Sequence, residues 1–197
     1  MVGAAVVALT AFHSGVYRVL VREDSVLEWG GFLAYVAAAF FGAWTALGLY
    51  RSGGRGLAVA FVGLACCCAF AAGEEISWGQ RVFDLETPSR LEAINRQREL
   101  TVHNVAEAER GFLFVFVAGS LYGLVAPWLV SRRRMVVPPV FLSSAFLVTF
   151  AYAAGRTFLF PHPTYELAKY SEWPEFCFAF ALSAFAVLSW RTARRAE

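Results

Sequence analysis

Apolar runs of about twenty residues, separated by short polar stretches, follow one another along the chain. A helix needs about 20 mostly apolar residues to cross a bilayer core about 30 Å thick. Six segments meet that condition: roughly 2–21, 28–50, 56–78, 106–130, 136–160 and 173–191. The pattern predicts an all-α polytopic membrane protein, a single helical-bundle domain over 1–197 with six transmembrane helices. His13 and Arg18 interrupt the first run. No basic residue precedes its apolar stretch, so it reads as a retained helix and not a cleaved signal peptide.

The longest polar interval is 79–105, GQRVFDLETPSRLEAINRQRELTVHNV. Thr87-Pro88 offers a helix start with proline at the first helical position, and Leu91, Ile94, Thr101 and Val105 fall near one face. This predicts a short amphipathic helix between helices 3 and 4, lying on the membrane surface or over the bundle as a lid. Asn104 and Glu107 have the spacing of a capping box at the start of the fourth spanning helix.

Composition strengthens the membrane reading: 58% of residues are hydrophobic and 16% charged, against about 25% charged in soluble domains. A net charge of +2 is too small to point to nucleic acid. Cys66, Cys67 and Cys68 lie inside an apolar run, and with Cys177 they form no disulfide framework. Arginine clusters set the orientation. Arg51 and Arg55, then Arg132–Arg134, then Arg191, Arg194 and Arg195 fall on the side of both termini, predicting cytoplasmic N- and C-termini. The expected location is a bacterial cytoplasmic membrane.

This topology brings the scarce polar residues to one outer end. Glu74 and Glu75 close the third helix, His103 and Asn104 precede the fourth, and His162 follows the fifth. Charged groups at membrane depth face the bundle interior or a wet cavity. Glu75 shares a helix face with Cys68, Ala71 and Ala72, which predicts that it is less exposed than Glu74. Glu74 is expected to pair with Arg18 or Arg81.

Carboxylates with imidazoles support two chemistries. Glu75, His103 and His162 can hold a divalent metal such as zinc with a position left for water. Alternatively a desolvated glutamate acts as general base without a metal. The candidate catalytic residues are Glu75, Glu74, Arg81 and His103, with Arg81 as oxyanion stabiliser. Trp78, Gln80, Asn104 and Arg18 are candidate substrate-binding residues. Structural roles compete with each: ion pairing for the glutamates, packing for His13, a solvated proline turn for His162.

The blocks EEISWGQR and INRQRELTVHN, within residues 73–104, resemble a group of functionally unassigned bacterial polytopic membrane proteins. A weaker, partial resemblance is to the CAAX-protease and bacteriocin-processing intramembrane proteases. It rests on Glu74-Glu75, followed by Arg81, and on Phe158-Leu-Phe-Pro-His162. It implies that a Glu-Glu and His arrangement in a helical bundle can support hydrolysis. The leading expectation is a membrane-embedded hydrolase or transferase acting on a lipid-linked or membrane-proximal substrate. The rivals are a non-enzymatic accessory or assembly subunit with a membrane-protein partner, and a small transporter.

Overall fold

A computed structural model describes residues 25–95, 98–130, 135–161 and 170–195. Helix α1 (Val26–Arg51) opens at Ser25, whose hydroxyl accepts from the Glu28 amide at 3.2 Å. That satisfies one of the amides a helix start leaves without a partner. Ser52, Gly53 and Gly54 turn the chain, Gly53 at φ +86°, into α2 (Arg55–Glu75). A 3-10 turn (Ser77–Gly79), α3 (Gln80–Phe83) and α4 (Ser89–Ile94) follow. Then come α5 (Ala106–Leu129), α6 (Ser143–Ala154) with a π-helical extension (Gly155–Leu159), and α7 (Glu172–Arg194).

Five of the described helical segments are long and apolar enough to cross a membrane: α1, α2, most of α5, Val140–Leu159 and α7. They coincide with five of the six predicted runs. The first run, with His13 and Arg18, lies outside the described residues, as does His162. Side chains such as Val26, Val59 and Leu129 stand 77%, 72% and 77% exposed. An apolar surface on this scale belongs against lipid.

Helix α1 packs along both α2 and α7, α7 along α6, and α6 along α5. Small residues let these backbones approach. Ala38 of α1 and Ala179, Ala181 and Ala186 of α7 have no exposed surface. On α2 the buried positions Ala58, Phe61, Ala65, Cys68 and Ala72 recur every three or four residues, so one stripe faces the bundle. The Phe178 ring meets Phe116 and Phe146 edge-on and ties α5, α6 and α7 together. Alternation of direction brings the start of α1, the end of α2, the start of α5, the π turn and the start of α7 to one end of the bundle.

Three expectations need correction. Helix α2 stops at Glu75 and not near 78, because Ser77, Trp78 and Gly79 adopt φ +48°, +55° and +76° in succession. For the two non-glycine residues this left-handed backbone costs roughly 1–2 kcal/mol each. The helix in the polar interval covers only Ser89–Ile94, with Pro88 at its N-cap position rather than its first turn and no buried residue. Thr101 and Val105 are not on it, because Asn95 turns extended and bridges to Val105. Finally, the residue at the N-cap of α5 is Val105 and not Asn104.

Candidate functional site: a carboxylate clasp around Glu74

The two glutamates that close α2 have different surroundings. Glu74 is 4% exposed and accepts hydrogen bonds on both oxygens. Its Oε1 takes the Trp78 indole N–H at 2.7 Å. Its Oε2 takes the backbone amides of Val102 at 2.7 Å and His103 at 2.9 Å, and lies 3.0 Å from His103 Nδ1. An ionised carboxylate only accepts, so His103 Nδ1 carries the proton in this contact. The loop before α5 is thereby fastened to the end of α2, and it covers Glu74.

Around this centre the two sequence blocks interlock. Ser77 donates to Glu99 Oε2 at 2.7 Å. Gln80 accepts from the Leu100 amide at 2.7 Å and donates to Thr87 at 2.6 Å, and Thr87 donates to the Arg98 carbonyl at 2.7 Å. Asn95 holds the Thr101 carbonyl and hydroxyl at 2.7 and 3.0 Å, and Asn104 donates to the same hydroxyl at 3.1 Å. These bonds hold the left-handed turn in place. Strained backbone persists where its surroundings over-determine it.

Gly73 makes room for the indole: a Cβ there would lie 2.8–2.9 Å from three Trp78 ring carbons. The Trp78 ring also meets Phe70 at 5.6 Å, Phe70 stacks on Phe112 of α5 at 6.3 Å, and Phe112 meets the His103 ring edge-on at 6.1 Å. The His103 side chain remains 34% exposed. Burial pulls its pKa down. The bond to Glu74, together with the charges of Glu175, Glu74 and Glu172, outweighs that and raises the imidazole above its ordinary value.

Glu75 is half-buried on the face toward α1, where a Cβ on Gly31 would come within 3.3 Å of its carboxyl. The expected order of exposure is thus reversed. The small-residue face does turn Glu75 toward the neighbouring helix, where its carboxyl lies against Gly31. Glu74 is buried by the loop that folds over it, a burial that helix periodicity does not encode. Glu175, Glu172 and Glu28 lie within electrostatic range of Glu75, and among the described residues no hydrogen bond reaches it.

Arg18 and the Arg81 side chain, the two partners expected for Glu74, lie outside what the structure describes; the described partners of Glu74 are Trp78, Val102 and His103. The polar groups of Trp78, Gln80 and Asn104 serve the clasp. Among the described residues no group of three or more His, Cys, Asp or Glu side chains gathers to hold a metal. A further charge pair went unread in the sequence. Arg156, 4% exposed within the π-helical turn, pairs with Glu109 of α5 and donates to the Phe160 carbonyl at 3.0 Å. The signal was an arginine closing an apolar run, and π turns often mark functional positions.

Comparison of the chain with known protein families, with curated proteins and with solved structures finds no match.

Proposed function

We propose that the protein is a membrane-embedded hydrolase or transferase that acts on a lipid-linked or membrane-proximal substrate, with the Glu74–His103 pair as its acid–base centre. The observation that carries this reading is the 3.0 Å contact between Glu74 Oε2 and His103 Nδ1. A carboxylate on Nδ1 fixes the ring orientation and leaves Nε2 as the basic nitrogen. His103 Nε2 takes the proton from water or an acceptor hydroxyl as it attacks the substrate. Glu74 stabilises the imidazolium, which then returns the proton to the leaving group. The half-exposed ring beside Phe112 and Phe70 favours a substrate that approaches from lipid.

Glu75 is a second carboxylate for this site, and Arg81 remains the proposed oxyanion stabiliser. The zinc alternative, through Glu75, His103 and His162, draws no support from the described residues. The proposed setting is the bacterial cytoplasmic membrane, with both termini cytoplasmic and the site end outside.

A second reading, an accessory or assembly subunit, is favoured by the completeness of the Glu74 clasp, since every oxygen is used to hold chain to chain. Lipid mass spectrometry separates the two. Membranes carrying the wild type should differ in at least one lipid or lipid-linked species from membranes carrying His103→Gln, with conversion reduced roughly 10²–10⁴-fold in the variant. Identical profiles, with both proteins folded and equally abundant, would eliminate the enzyme and leave the accessory subunit.

A further inference from the structure

Beyond the clasp, the segment from Trp78 to Leu85 carries large apolar side chains that the protein does not cover. Trp78 is 48% exposed, Val82 61%, Phe83 71% and Leu85 47%. Helix α3 is a single turn, so these side chains have no helical partner of their own. In water such a cluster would be costly, at about 25 cal/mol per Å² of apolar surface.

Its position decides what covers it. The 21 residues of α2 rise about 31 Å, the thickness of a bilayer core, so Glu75 stands at the core edge. The left-handed turn at Ser77–Gly79 then redirects the chain, and it brings the Trp78 side chain back onto the helix. The Trp78 indole reaches Phe70, one and a half turns inside that edge, and Phe70 is itself 40% exposed on the outward side of α2. Val59 and Val62, 72% and 51% exposed, continue the same lipid-facing surface. Phe83 sits against Gly79, whose added Cβ would lie 3.0 Å from the Phe83 ring. The apolar surface of the turn is therefore continuous with the spanning surface of α2. The polar end of the indole points away from it, onto Glu74, the amphipathic disposition tryptophan takes at a membrane boundary.

We infer that residues 78–85 form a hook inserted into the interfacial layer of the lipid bilayer, with Val82 and Phe83 among the acyl chains. The occupant is lipid, and not a second protein, because the exposed rings run without a break into the lipid-facing side of α2. The hook also fixes the depth of the clasp, since Trp78 and His103 share the Glu74 carboxylate. This inference does not depend on the acid–base reading.

Spin-label depth measurement tests it. In a Cys66→Ala, Cys67→Ala background, labels are placed singly by Val82→Cys, Phe83→Cys, Glu86→Cys and Arg90→Cys, and the protein is reconstituted in phosphatidylcholine vesicles. Labels at 82 and 83 should collide with oxygen several-fold more often than with a water-soluble nickel chelate. Labels at 86 and 90 should show the reverse. Equal nickel access at 83 and 86 would place the hook in water and overturn the proposal. Low access to both reagents at 82 and 83 would mean a protein partner covers it, which also overturns it. If Phe83→Cys does not fold, position 82 gives the same reading.

Discussion

Replacing Glu74 with glutamine changes one oxygen to an amide nitrogen and removes the charge, with shape retained. The remaining carbonyl can keep the Val102 and His103 amides, which lie 2.7 and 2.9 Å from Oε2. The new NH₂ then faces the Trp78 indole N–H, formerly bonded at 2.7 Å, donor against donor. Hydrogen bonds to a charged acceptor contribute about 1.5–3 kcal/mol and neutral ones about 0.5–1.5, and an unsatisfied buried donor costs about 1–3. Weakening the three bonds to Oε2, the His103 ring's included, and orphaning one donor sums to at least about 3 kcal/mol. For a chain of this size each kcal/mol moves Tm by roughly 2–4 °C, so Glu74→Gln should melt about 6–12 °C lower in a detergent thermal-shift assay. Glu75→Gln is the control. No hydrogen bond among the described residues reaches Glu75, and three glutamates lie within its electrostatic range, so its loss of charge should leave Tm unchanged or raise it. A Glu74→Gln shift below about 2 °C, or a larger drop for Glu75→Gln than for Glu74→Gln, would refute the assignment of Glu74 as the centre of the clasp.

The raised His103 pKa gives a pH signature: the protonated ring's contribution is complete below its ordinary 6.5 and is lost as pH rises through the higher folded value. Thermal stability should therefore fall from neutral toward mildly alkaline pH, and His103→Gln should flatten that slope; an unchanged slope in the variant would count against the pairing. Gly73→Ala should cost about 1–3 kcal/mol by overpacking, since its Cβ would meet the clamped indole at 2.8 Å, and the cost should largely vanish in a Trp78→Ala background. Arg156→Met should destabilise by about 1–3 kcal/mol through loss of its bonds to Glu109 and the Phe160 carbonyl, with the Arg156→Met, Glu109→Leu pair losing less than the sum of the single variants; additive losses in chemical denaturation would show that the two are not coupled.

The spanning helices were legible because lipid imposes a simple rule on both length and composition. The polar end was legible only as a neighbourhood. Glu74 and Trp78 are four apart, a spacing that shares one helical face, and they do bond. The helix that should carry that face ends at Glu75, however, and the contact is made across a left-handed turn that two non-glycine residues occupy against their intrinsic preference. Nothing in the local sequence asks for that turn. The bonds that hold it join residues 20 to 29 positions apart, and two of the donors to Glu74 are backbone amides, which every residue but proline carries and no sequence pattern distinguishes. The same fact accounts for the misread pair of acids. Helix periodicity reports burial against other helices and correctly turned Glu75 toward α1, but the carboxylate most withdrawn from solvent is the one a loop closes over. EEISWGQR and RELTVHN are therefore best understood as the two halves of one structural unit. Glu74, Ser77 and Gln80 in the first half have partners at Glu99, Leu100, Val102 and His103 in the second. Strain retained in the first half is compensated by bonds from the second, and the one titratable ring in the unit, His103, is left partly exposed with its edge against Phe112 of α5.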